Sequence, residues 1–210
     1  MDRNSKMYIK ICGLQTVESV AAAVEAGANA VGFIFAPGSP RTITAALAAT
    51  LVSSVPEGIE TVGVFRDQPL DEVLATSREA ELTTVQLHGN EPLADVTRLH
   101  AAGFRTLRAF SVAAYNALNP EDKRAWKSER ILLDAVEPGA GETFDSSELA
   151  QGAPQGFWLL AGGLNPSNVA SLVGALHPHG VDVSSGVESS RGVKDSMLIR
   201  DFIQAARSIS

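Results

Sequence analysis

The chain is predicted to fold as a single closed (β/α)8 barrel, and three observations predict it. First, extended apolar runs alternate with amphipathic helical stretches at intervals of roughly 22 to 30 residues, with no composition break that would mark a linker. Such alternation calls for a parallel sheet, because each strand must be reached through a crossover, usually a helix. Second, eight such units are present, and eight is the number that closes into a barrel. Third, the turn after the first strand, Cys12-Gly13-Leu14-Gln15-Thr16, lacks the Gly-x-Gly-x-x-Gly pattern of a doubly wound open sheet. At 210 residues the chain lies near the small end of the barrel range, about 200 to more than 400.

The first strand is Tyr8-Ile9-Lys10-Ile11-Cys12, after which Gly13 lets the chain turn sharply. Thr16 caps a helix with the stripe Val17, Val20, Ala21 and Val24, which Gly27 stops. Residues 30–35 are nearly all apolar and suit a strand covered on both faces. Beyond the loop Pro37-Gly38-Ser39-Pro40-Arg41, a second helix carries Leu47, Leu51 and Val55. Residues 60–65 form the third strand, followed by a helix with Leu70, Val73 and Leu74. The fourth strand, 84–88, leads to a helix that begins near Asn90 with Pro92 in its first turn and ends at Gly103.

The second half repeats the cycle with thinner helices. Strand five spans 105–112, with a short polar helix between 119 and 127. Strand six spans 130–135 and precedes a glycine-rich loop and a weak helix at 147–151. Strand seven, 157–161, runs into a helix started by Asn165 and Pro166. Strand eight is 180–184, and the last helix carries Leu198, Ile199, Phe202 and Ile203. One domain over 1–210 is expected, with residues 1–6 a short polar extension ahead of Met7.

Composition narrows the class. The chain is 45% apolar and 20% charged, ordinary for a globular protein, and its net charge of -7 comes without a basic cluster. Nucleic acid is therefore not an expected partner, since phosphate backbones demand a positive surface. A single cysteine excludes an internal disulfide framework and a Cys-based zinc site. No run approaches the roughly 18 apolar residues of a membrane span. The polar start lacks the apolar core of a secretory signal, so a cytoplasmic location is expected.

Chemistry in such barrels sits at the C-terminal ends of the strands. The polar residues there are Cys12, Arg41, Gln86, His88, Asp134, Asp182 and Ser184. Strand parity puts Lys10 with Cys12, Gln86 with His88, Leu132 with Asp134, and Asp182 with Ser184. The other faces carry Ile11, Val85, Leu87, Ile131, Leu133, Val181 and Val183, suited to packing under helices. Cys12 alone reads either as a reactive thiol beside a lysine or as a small buried side chain; the convergence of polar residues at one mouth favours an active site. After strand seven comes Ala161-Gly162-Gly163-Leu164, and after strand eight Ser184-Ser185-Gly186. These small residues either make tight turns or bring backbone N–H groups to an anion, and phosphate commonly binds at this place in the fold. A phosphorylated small molecule is the expected ligand. The loop Pro138-Gly139-Ala140-Gly141-Glu142-Thr143-Phe144-Asp145 reads equally as a flap over the mouth or as an ordinary surface loop.

Taken together, the segments Lys10-Ile11-Cys12-Gly13, Ser39-Pro40-Arg41, Val85-Gln86-Leu87-His88-Gly89, Leu132-Leu133-Asp134, Ala161-Gly162-Gly163-Leu164 and Val181-Asp182-Val183-Ser184-Ser185-Gly186-Val187-Glu188 resemble the phosphoribosylanthranilate isomerase family of tryptophan biosynthesis. The likeness runs in order from residue 8 to about 200. It implies a cofactor-free, metal-free Amadori rearrangement of N-(5-phosphoribosyl)anthranilate. Cys12 is then the general base and Asp134 the general acid. Arg41 holds the anthranilate carboxylate, while Lys10, Gln86, His88 and Asp182 line the substrate. Gly162, Gly163, Ser184, Ser185 and Gly186 hold the phosphate. The protein is expected as a monomer or homodimer. An ordinary thiol titrates near 8.5 and an aspartate near 3.9, so Lys10 is expected to lower the first and burial to raise the second.

The loop at 138–142 departs from the family's usual Gly-Gly-Thr-Gly, and Ser146 stands where the family often has tryptophan. The related barrel isomerase of histidine biosynthesis has an aspartate where Cys12 stands. A ribulose-phosphate epimerase would need metal-binding histidines at the strand ends. A catalytically silent metabolite-binding barrel would require neither Cys12 nor Asp134.

Overall fold

The computed structural model describes residues 7–134 and 152–208. Eight parallel strands close in chain order into a barrel: β1 (Tyr8–Cys12), β2 (Ala30–Ile34), β3 (Glu60–Phe65), β4 (Thr84–Leu87), β5 (Arg105–Ser111), β6 (Ile131–Asp134), β7 (Trp158–Ala161) and β8 (Gly180–Val183). The closing pair sets Lys10 of β1 opposite Asp182 of β8. Around them lie α1 (Val17–Glu25), α2 (Ala45–Val52), α3 (Leu70–Glu79), α4 (Leu93–Ala101), α5 (Val112–Ala117), α6 (Pro120–Ala125), α7 (Val169–Leu176) and α8 (Ser196–Arg207).

Alternation along each strand divides the core in two. Ile9, Ile11, Val31, Phe33, Val85, Leu87, Ile131, Leu133, Val181 and Val183 face the helices in one continuous apolar shell. Inside the barrel a smaller plug of Leu107, Ala109, Leu132, Leu159 and Ala161 fills one side. The opposite side of the interior is polar: Lys10, Thr84, Gln86 and Asp182 are all buried. Each buried Leu, Ile or Phe contributes about 1.5–3 kcal/mol through area removed from water, so the shell supplies the stability that lets this interior stay polar.

Several local expectations change. In α1 the buried residues are Ser19, Val20, Ala22 and Ala23, while Val17 is 51% exposed and Ala21 is exposed too. In α2, Ala48 and Leu51 are buried and Leu47 faces out. In both helices alanines are buried beside one larger apolar residue, Val20 or Leu51, and a search for large apolar residues undervalues them. Strand five ends at Ser111, whose side chain accepts from Ala114 N–H and caps the added helix α5. Asn165 and Pro166 form a turn rather than a helix start: Asn165 Oδ1 accepts from Ser167 N–H at 2.8 Å, and α7 begins at Val169. After β8 the chain makes a 3₁₀ turn, Ser185–Val187, and an unanticipated hairpin of β9 (Glu188–Ser190) and β10 (Val193–Lys194). The glycine-rich loop at 138–145 and the weak helix at 147–151 lie outside the described residues. No described helix is long and apolar enough to cross a membrane.

Candidate active site

The C-terminal ends of the strands surround a cavity of about 500 Å³. Cys12, Arg41, Gln86, His88, Asp134, Asp182, Gly162, Gly163, Ser184, Ser185 and Gly186 all line it. The remaining candidate, Lys10, does not. Its side chain is fully buried beneath the floor, and its Nζ lies 2.9 Å from Asp182 Oδ1. Lys10 is thus placed below the cavity, against Asp182 and on the same strand face as Cys12, rather than on the cavity wall where it was expected to meet substrate.

Closure of the barrel produces this arrangement. Lys10 and Cys12 lie two residues apart on β1, so both point inward. On the neighbouring strand Gly32 leaves the room they need, since a Cβ there would come within 3.0 Å of Cys12 Sγ and 3.1 Å of Lys10 Nζ. Burial opposes the charge on Lys10, but Asp182 and Cys12 outweigh it and hold the ammonium above its ordinary value. For Cys12 the balance runs the other way. Burial pushes the thiol up, and Lys10 pulls it back only in part. The expected net lowering of the thiol is overturned, because the sulfur is desolvated and the Asp182 carboxylate paired with Lys10 sets a negative charge that works against the lysine's pull.

Opposite the thiol stands a polar row on β4 and β6. Gln86 Nε2 lies 3.0 Å from His88 Nδ1, and His88 Nε2 lies 3.4 Å from Asp134 Oδ2. Gln86 Oε1 is buried without a hydrogen-bond partner among the described residues. With Gln86 donating to Nδ1, the proton of a neutral ring falls on Nε2, the nitrogen on the Asp134 side. His88 and Asp134 are both partly exposed to the cavity.

Arg41 comes from the loop after β2. Glu188 takes one edge of its guanidinium, Nε to Oε1 at 2.6 Å and Nη2 to Oε2 at 2.8 Å, and this pairing raises the arginine further. Lys194 Nζ reaches the same carboxylate at 2.7 Å and the Ser184 carbonyl at 2.8 Å. The loops after β7 and β8 touch: a Cβ at Gly186 would collide with the Leu164 carbonyl. Gly162 and Gly163 both take positive φ, +88° and +62°. This backbone belongs to glycine, and both residues line one corner of the cavity.

Sequence reading did not single out Glu188 and Lys194, whose ion pair adjoins Arg41, or Arg191 at the cavity edge. A signal existed in Glu188-Ser189-Ser190-Arg191-Gly192-Val193-Lys194. Gly192, at φ +86°, closes a two-residue hairpin loop that folds Lys194 back beside Glu188. Among the described residues no group of three or more His, Cys, Asp or Glu side chains could hold a metal ion.

A thiol, a carboxyl group and an arginine around one cavity, at the C-terminal mouth of a closed parallel barrel, define a (β/α)8-barrel enzyme. Residues 9–205 match the family model for N-(5'-phosphoribosyl)anthranilate (PRA) isomerase. The N-(5'-phosphoribosyl)anthranilate isomerase of Geotalea uraniireducens is 41% identical over 205 residues, covering 96% of this chain and 98% of that protein. The crystal structure of TrpF from Jonesia denitrificans superposes with a TM-score of 0.86 at 43% identity, over 97% of this chain and 98% of its own. A phosphoribosyl anthranilate isomerase in complex with reduced 1-(o-carboxyphenylamino)-1-deoxyribulose 5-phosphate does so with a TM-score of 0.81 at 35% identity, over 95% and 98%. The chain belongs to the N-(5'-phosphoribosyl)anthranilate isomerase family. It is an isomerase of tryptophan biosynthesis.

Proposed function

We propose that this enzyme opens and rearranges N-(5-phosphoribosyl)anthranilate with Cys12 as general base and Asp134 as general acid. The observation that carries the reading is their placement on one cavity with Arg41 and the two small-residue loops. Asp134 donates its proton to the furanose ring oxygen. The C1′–O4′ bond breaks, and the nitrogen lone pair forms a protonated Schiff base. Cys12, as thiolate, then takes the proton from C2′, and the electron pair of that bond moves to C1′–C2′ as the cation is discharged to an enolamine. Tautomerisation gives the C2′ ketone and a C1′ methylene.

The raised thiol fits this order of events. Burial favours the neutral thiol; the iminium formed in the first step sets a positive charge beside the sulfur, so the thiol proton leaves to solvent through the cavity and the thiolate is present when the C2′ proton must be taken. His88, with Nε2 3.4 Å from Asp134 Oδ2, stands where it steadies the carboxylate left after the first transfer. Asp182, held by Lys10, and the unpartnered Gln86 Oε1 are acceptors for the sugar hydroxyls. Arg41 meets the anthranilate carboxylate with the guanidinium edge that Glu188 leaves open, and Gly162, Gly163, Ser184, Ser185 and Gly186 hold the phosphate. The enzyme works in the cytoplasm as a monomer or homodimer, and each chain carries all of these groups.

The test is an assay on freshly generated phosphoribosylanthranilate that follows the decay of its fluorescence. Decay accelerated by the wild-type chain, with the ketone accumulating in step, is the expected result. Decay no faster than in buffer overturns the assignment.

A further inference from the structure

The hairpin after β8 does more than close a loop. Arg41 belongs to the loop after β2, and its long side chain has much rotamer freedom to lose on binding a ligand. Glu188 removes that freedom by binding Nε and Nη2 together, at 2.6 and 2.8 Å. Because a guanidinium is planar, fixing one edge aims the other. Glu188 is itself held from three sides: by Arg41, by Lys194 Nζ at 2.7 Å, and by Gly192 N–H at 2.9 Å on Oε2. Lys194 is almost completely buried, with 3% of its side chain exposed, and its other contacts are the Ser184 carbonyl at 2.8 Å and Ser184 Oγ at 3.3 Å. A continuous chain of charge-assisted hydrogen bonds thus runs Arg41–Glu188–Lys194–Ser184. It joins the arm assigned to the carboxylate to the turn assigned to the phosphate.

We propose that Glu188 and Lys194 are positioning residues that couple these two subsites, so that an anion in the phosphate corner tightens binding of a carboxylate at Arg41. The inference rests on the assignments of Arg41 and of the Ser184–Gly186 turn made above. Its sign is diagnostic. Two anions entering one cavity repel each other, so without a mechanical link each weakens the other. A link reverses this. Phosphate bound at the Ser184 turn holds closed a chain that thermal motion otherwise opens at times, so the arm a carboxylate needs is in place more of the time and the cost of keeping it there is spared the second ligand. Two cations sharing one carboxylate leave the triad with one net positive charge, which suits an anionic ligand at either end.

The experiment uses two fragments, anthranilate and inorganic phosphate, as paired inhibitors of turnover by the full-length enzyme. In the wild type, anthranilate inhibition is expected to tighten about fivefold at saturating phosphate, a usual size for site-to-site coupling. Glu188→Gln and Lys194→Met should abolish that enhancement or turn it into antagonism. Their KM should rise more than kcat falls, and Lys194→Arg should restore part of the coupling. Should Lys194→Met fail to fold because it leaves Glu188 under-compensated, the double variant Glu188→Gln/Lys194→Met removes the pair as a unit and takes its place. Independent or antagonistic inhibition in the wild type overturns the proposal, as does enhancement that survives every variant. Failure of the underlying assignments shows differently: anthranilate inhibition untouched by Arg41→Ala removes the carboxylate arm, and absence of phosphate inhibition in the wild type removes the phosphate turn.

Discussion

At the N-terminal end of the barrel Glu60 accepts from Arg130 at 2.8 Å, from Thr84 Oγ1 at 2.9 Å and from Arg105 at 3.3 Å. At the C-terminal end Glu188 accepts from Arg41, Lys194 and the Gly192 backbone. Both are largely buried carboxylates gripping two cations across different strands or loops, and in both the cations overcome burial and depress the carboxyl. The surroundings differ. Below, Arg130 is sandwiched against Tyr8 and Phe157, 5.2 and 5.1 Å from the ring centroids, so its remaining surface meets aromatic faces. Above, the arginine borders a cavity of about 500 Å³ shared with a thiol and a carboxyl. An ion cluster by itself is thus no mark of function. A cation whose second edge looks into a cavity is one, because that edge can bind a ligand without disturbing the pair that aims it.

The contrast breaks if substitutions at the two ends act alike. The largest separation is expected from Cys12→Ser, which should cut turnover by about 10²- to 10⁴-fold, roughly 3 to 5 kcal/mol, while barely moving the melting temperature. A serine hydroxyl is too weak a base at neutral pH, and steady-state kinetics within a few-fold of wild type would remove Cys12 from the mechanism. At the floor the pattern should invert. Glu60→Ala strands Arg130 and Arg105 without their shared anion, and solvent relieves Arg105, which is 61% exposed, more than Arg130 at 22%. A loss of about 2 kcal/mol follows, or about 4–8 °C in a chain of this size, with kcat/KM kept within about threefold. A calorimetric scan and the fluorescence assay on the same preparation separate the cases; a large loss of kcat/KM in a folded Glu60→Ala protein would mean that the floor reaches the chemistry.

Much of the fold was legible because it is written in short-range patterns. Runs such as Ala30-Val31-Gly32-Phe33-Ile34 admit few structures other than a strand covered on both faces, and eight of them in alternation with helices admit few sheets other than a closed one. Strand parity also brought Cys12, Gln86, Asp134 and Asp182 to one mouth, since a residue two places from the strand tip shares its face. What parity cannot supply is distance across the barrel. Lys10 and Cys12 look like a pair in sequence, yet closure sets Lys10 opposite Asp182, whose negative charge offsets the lysine's effect on the thiol. Glu188 and Lys194 were hidden for a related reason. Their roles depend on a hairpin that returns over the mouth to meet Arg41, 147 residues away in the chain. Even the helix faces that shifted did so because Ala22, Ala23 and Ala48 gain their value from burial, a property of the partner surface rather than of the residue.

The smallest expected effect sharpens the comparison most finely, because it concerns the one property the two carboxylates share. Burial alone would raise the Glu188 carboxyl, but its hydrogen bonds from Arg41, Lys194 and Gly192 bring it from 4.5 down to about 2. A carboxyl that binds its proton less tightly in the folded chain than in the unfolded one adds stability above the unfolded value, and that stability drains away as pH falls toward the folded one. The window is therefore pH 4.5 to about 2. Glu188→Gln cannot titrate there. It should melt a few degrees below wild type at neutral pH, and the gap should close across that window as the wild type loses what the variant never had. Glu60 keeps titrating in the variant, so its curve flattens without becoming level. Melting temperatures taken every half pH unit decide the matter: two parallel curves would show that the Glu188 network contributes nothing to folding and that its value lies in aiming Arg41 alone.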